Sequence, residues 1–159
     1  MADLHEVLIT AELRADLSDA EISELRWHLG LGPEPETFTV VTDDLPLVTV
    51  DDDGEPLPED RWEVDRYPLL AARGPADPRV GGVLFSELAR REEPADAGWA
   101  LSSRQVVHGD DLTTLTQLLR WLRERAVGHG GGPACFSCHT RFYEDDLVLK
   151  PMSPDEEDW

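Results

Sequence analysis

From His5 to Leu17 the odd positions Val7, Ile9, Ala11, Leu13, Ala15 and Leu17 are apolar, while most even positions are polar, among them Glu6, Thr10, Glu12, Arg14 and Asp16. A repeat of two is the signature of a strand with one buried face. Ser18 followed three residues later by Glu21 has the form of a capping box, and Ile22, Leu25 and Leu29 then fall at helical spacing until Gly30, Gly32 and Pro33 stop the helix. Short strands are expected at Phe38 to Thr42 and Leu47 to Val50, with Asp51-Asp52-Asp53-Gly54 turning the chain. From Glu55 to Gly82, Pro56, Pro58, Pro68, Pro75 and Pro78 interrupt any repeat, so irregular chain anchored by Trp62, Tyr67, Leu69 and Leu70 is expected.

In the second half, Val83 to Arg90 and Trp99 to Val107 read as a hairpin around Pro94 and Gly98. Asp110 or Asp111 is placed to cap a helix whose Leu112, Leu115, Leu118, Leu119 and Leu122 form one apolar stripe, with Arg120, Arg123 and Arg125 in its later turns. Gly128 to Pro133 ends that helix, a cysteine-bearing loop follows, and Phe142 to Lys150 is expected as the last strand. This succession predicts an α+β fold: two helices packed on one face of a mostly antiparallel sheet, in a ferredoxin-like arrangement with a proline-rich acidic insertion. At 159 residues one domain is expected, over residues 1–150, with residues 151–159 as an acidic tail that buries little.

Charge narrows the function. The chain carries 14 Lys and Arg against 34 Asp and Glu, net −20; residues 1–65 hold 19 acidic and 3 basic side chains, and residues 66–159 hold 15 and 11. Such a field repels phosphate backbones and anionic lipid, so neither nucleic acid nor membrane is an expected partner. A basic protein partner is, because electrostatic complementarity speeds encounter and selects against wrong partners. MADLHEVLIT lacks the basic start and apolar core of a secretory signal, and a cytoplasmic location with reduced thiols is expected.

The segment with the clearest chemical grammar is Cys135-Phe136-Ser137-Cys138-His139. Two thiolates two residues apart can face one zinc ion, with His129 as third ligand and His139 or a distant His5, His28 or His108 as fourth. The same five residues resemble the C-x-x-C-H haem-attachment motif of c-type cytochromes; that resemblance implies covalent haem, which is not expected without an export signal. His129-Gly130-Gly131-Gly132 resembles the oxyanion segment of some lipases and esterases, but the G-x-S-x-G nucleophile turn is missing. Asp51, Asp53 and Glu55 superficially suggest a calcium loop, yet Gly54 is misplaced for one and a plain turn is expected. His108-Gly109-Asp110-Asp111 joins a strand to a helix, where capping accounts for the aspartates without catalysis. His5 and His28 read as hydrogen-bonded structural histidines, and the tryptophans as core or partly buried anchors.

The readings that follow are a non-enzymatic protein-binding or regulatory module, with a zinc-dependent protein or enzyme centred on His129, Cys135, Cys138 and His139 as the alternative. A homodimer formed through the uncovered sheet face is the third.

Overall fold

The computed structural model describes residues 3–43, 48–77, 81–144 and 147–155. The period-2 segment forms β1, Leu4–Leu13, and ends four residues short of the apolar alternation. Its odd residues Val7, Ile9, Ala11 and Leu13 are almost completely buried. Ser18 then caps α1, Asp19–His28, with both bonds of the capping box in place. Gly30 follows at φ 67°, and an added Cβ there would stand 3.0 Å from that of Ala71. Left-handed backbone and close approach together account for a glycine at the helix exit.

Among the described residues five further strands follow: β2 (Gly74–Asp77), β3 (Gly82–Arg91), β4 (Gly98–His108), β5 (Phe136–Phe142) and β6 (Lys150–Pro151). They pair with β1 in one antiparallel sheet ordered β2-β3-β4-β1-β5-β6. α2, Leu112–Arg125, supplies the leucine stripe. One hydrophobic core joins the odd face of β1 to Leu25 and Leu29 of α1 and to Leu115, Leu118, Leu119 and Leu122 of α2. The chain is α+β, and no helix among the described residues is long and apolar enough to cross a membrane.

Register fixes the two faces. Ile9 lies between Ser103 and Cys138, so odd residues of β1 and β4 and even residues of β5 share the helix side. On the opposite face Glu6, only 1% exposed, receives Arg104 Nε at 2.7 Å and Arg141 Nε at 2.6 Å. Two flanking guanidiniums are what allow a carboxylate to be buried on a face without a helix.

Several expectations need correction. Phe38 to Thr42 is a loop; Thr39, Val40 and Val41 give their amides to Glu24 instead of to a sheet neighbour. Of the expected strand at Leu47 to Val50, Leu47 lies outside the described residues and Val50 makes one isolated bridge to Pro56. The last long strand begins at Phe136 and contains the second cysteine: Phe136, Cys138, Thr140 and Phe142 alternate with Ser137, His139 and Arg141. Its inward Cys138 and Thr140 weaken the hydrophobic contrast of this period-2 pattern. Neither Asp110 nor Asp111 caps by its side chain; His108 Nδ1 accepts the Asp110 amide, and a single 3₁₀ turn, Gly109–Asp111, leads into α2.

The tail also packs through residue 155. Met152 is buried, its amide bonds Cys138 O and its sulfur meets Cys138 Sγ at 3.5 Å, while Arg120 donates to Pro154 O and Arg123 grips Asp155 through two bonds. Residues 156–159 lie outside the described residues.

Candidate functional site

The cysteine region does not gather its four candidate ligands. Cys135 lies just before β5, whereas Cys138 and His139, adjacent on the strand, project to opposite faces. Cys138 faces the helices, 4% exposed beside Ile9 and Met152, and burial pushes its thiol up to about 12. Cys135 is partly exposed and lines a shallow depression with His129, Thr10, Ser102 and Ser137. His139 is on the face opposite Cys138 and pairs with Leu8 and Pro151 in register. His129 Nδ1 stands 3.8 Å from Asp96 Oδ1. Among the described residues no three His, Cys, Asp or Glu side chains are grouped to hold a metal ion. The expected calcium-like segment is a turn in which Asp51 Oδ1 accepts the amides of Asp53 and Glu55.

A different site assembles at the C-terminal end of α1. Leu25 and Leu29 enter the core, and the same helix buries Glu24, Trp27 and His28. Trp27 meets Phe38 edge to face at 5.2 Å and the His28 ring at 4.8 Å. Glu24, fully buried, turns the 39–41 loop toward the helix: Oε2 accepts from the Thr39 and Val40 amides, and Oε1 from the Val41 amide at 2.8 Å. Burial works to raise the Glu24 carboxyl, but the nearby His28 imidazole and these three amides outweigh it and hold the group below the usual carboxylate range. Two bonds with Gln117, the Asp43 amide donating to Gln117 Oε1 and Gln117 Nε2 donating to Asp43 O, continue the loop onto α2.

The opposite wall is the 64–69 segment, held at two points, Tyr67 and the following Leu70. Leu70 donates to His28 O and is buried in the core, and Tyr67 Oη donates to Asp111 Oδ1 at the start of α2. Burial raises the Tyr67 hydroxyl to about 12, reinforced by that bond and by the negative charges of Asp111, Asp65 and Asp110. A phenol held this high donates a hydrogen bond and does not ionise at neutral pH.

These walls enclose a cavity of about 360 Å³. Trp27, Phe38 and Tyr67 give it aromatic surface; Val41, Val64 and Leu69 add aliphatic surface. Among the described residues of the lining, Asp43, Asp65, Asp110 and Asp111 are acidic against one cationic residue, Arg66. Its guanidinium carbon stands 4.2 Å from the Phe38 ring centroid. His28, 2% exposed, completes the lining, and neither ring nitrogen has a hydrogen-bond partner among the described residues; Nε2 is 3.7 Å from Glu24 Oε1. His28 is therefore buried at the edge of the cavity with Nε2 beside the Glu24 carboxylate and Nδ1 without a hydrogen-bond partner among the described residues. Buried polar atoms left this way are uncommon and point to function.

The sequence offered one local clue to this site, Glu24 and His28 four apart on one helix. The rest of the lining comes from segments near residues 38, 66 and 110, whose meeting no short-range pattern announces. Comparison with protein-family models, curated proteins and solved structures finds no match to this chain.

Proposed function

We propose that the protein is a non-enzymatic binding module whose acidic side receives a basic protein partner, with the cavity at the end of α1 as the point of contact. The observation that carries this reading is the lining itself: four carboxylates and three large aromatic side chains around one cavity. The net charge of −20 supplies a long-range field of the matching sign. The core is read as ferredoxin-like because its four main strands and two helices follow in the succession β1-α1-β3-β4-α2-β5 with neighbours ordered β3-β4-β1-β5. The segment between α1 and β2, which supplies two cavity walls, is read as the proline-rich insertion.

The test is binding of fluorescent peptides rich in arginine and lysine, measured by anisotropy against charge-reversed controls at low and high salt. The basic peptides should bind and weaken as salt rises, since exposed charges are screened beyond roughly 8 to 10 Å. Changing Asp43, Asp65 and Asp110 together to Asn should weaken binding further. These positions are preferable to Asp51, whose side chain holds its own turn. Equal binding of acidic and basic peptides, or indifference to both salt and the triple substitution, would overturn the reading.

A further inference from the structure

We infer that the cavity is a receptor for one arginine side chain of the partner, and that Arg66 occupies the aromatic face which the incoming guanidinium takes over. This rests on the reading of the chain as a module for a basic partner and names the group it grasps.

Three observations converge. The first is the stack of Arg66 on Phe38, 4.2 Å from guanidinium carbon to ring centroid. It shows that the Phe38 face accepts a planar cation from the solvent side; guanidinium stacks on aromatic rings where a compact, strongly hydrated ammonium does so less readily. The second is charge. Among the described residues, Arg66 opposes Asp43, Asp65, Asp110 and Asp111 in the lining, leaving a local excess of negative charge that a second cation would reduce. The third is His28, nine-tenths and more buried and lining the cavity, whose Nε2 lies beside Glu24 Oε1 and whose Nδ1 has no hydrogen-bond partner among the described residues. A guanidinium brings five N–H donors, enough for a ring nitrogen and several carboxylate oxygens together.

Displacement of Arg66 has a place to go. Arg66, Asp65 and Val64 also line a second depression together with Glu34. Rotating outward, the Arg66 guanidinium keeps carboxylate neighbours while vacating Phe38. An arginine arriving from a partner then lies between aromatic walls that restrict its orientation, the setting in which arginine contributes strongly to protein interfaces.

The experiment uses the full chain and a peptide with a single basic residue, in three versions carrying arginine, lysine or citrulline, read by isothermal titration calorimetry. Citrulline keeps the planar shape and removes the charge. Arginine should bind best, with citrulline and lysine each weaker by about tenfold or more, the scale of one desolvated cation–aromatic contact. Arg66→Ala should tighten the arginine peptide by several-fold by removing its competitor, and Phe38→Leu, which keeps an apolar side chain but no aromatic face, should weaken it by about tenfold. Free L-arginine is the remaining arm: its carboxylate meets the acidic rim, so it should bind more weakly than the peptide, and equal binding would assign the site to a small metabolite instead. If arginine, lysine and citrulline peptides bind alike, the arginine receptor is overturned even if a substituted protein fails to fold. That outcome leaves the wider reading intact provided binding still follows salt. Failure of every basic peptide to bind, including the rich ones above, sinks the wider reading as well.

Discussion

Glu24 holds the 39–41 loop with one side chain, and its replacement has a calculable effect. Glutamine keeps the shape but turns an NH₂ toward backbone amides that need an acceptor. Glu24→Gln should therefore cost on the order of 2 to 3 kcal/mol in urea unfolding at pH 7. Because the folded-state pKa of Glu24 is lowered, its contribution is complete above the unfolded value and disappears as the pH falls through the folded one. The gap between wild type and variant should close on acidification through and below the carboxylate range; a gap that widened would contradict the assigned hydrogen bonds. The cysteines give a second test. One thiol per chain, Cys135, should react readily with a thiol reagent in the native state, while Cys138 should react only when the chain unfolds. Equal fast reaction of both would place Cys138 outside the core. At this scale the sequence was legible where a residue's neighbours in the chain decide its role, as for Ser18 and Glu21. It was opaque for Cys138 and His28, whose surroundings come from segments far away in sequence.

Among the elements, β1, the β3–β4 hairpin and α2 follow directly from their period and α1 from period and cap together, because each buries one face whose spacing is written locally. β5 and the tail were harder. In β5 the inward residues include a cysteine and a threonine, which weakens the hydrophobic alternation. The tail reads as acidic, yet its packing depends on Met152 and Pro154 and on arginines of α2. Ending the chain at Pro151 should accordingly lower the melting temperature by several degrees, and Met152→Ala alone should cost about 2 kcal/mol. An unchanged melting curve for both would show that the tail is dispensable. Gly98 illustrates a requirement that composition does not reveal: at φ 155°, a Cβ added there would fall 2.3 Å from Leu13 O, so β4 can begin beside β1 only without a side chain.

For the molecule as a whole, charge was plain from composition, whereas the cavity depended on where the long segment between α1 and β2 comes to rest. A net charge of −20 on 159 residues repels itself in the folded state. Moving from low salt to about 0.5 M sodium chloride should raise the melting temperature, because the Debye length shrinks to several ångströms. A falling melting temperature would mean that attractive pairs such as Arg123–Asp155 dominate the balance. The ends of the sheet carry another consequence. β2 has four residues and β6 has two, and each contains a proline, Pro75 and Pro151. Such edges offer a neighbouring chain few N–H groups and little length to pair with. Edge-to-edge growth from molecule to molecule therefore finds little to build on at either margin, whatever the concentration of the protein.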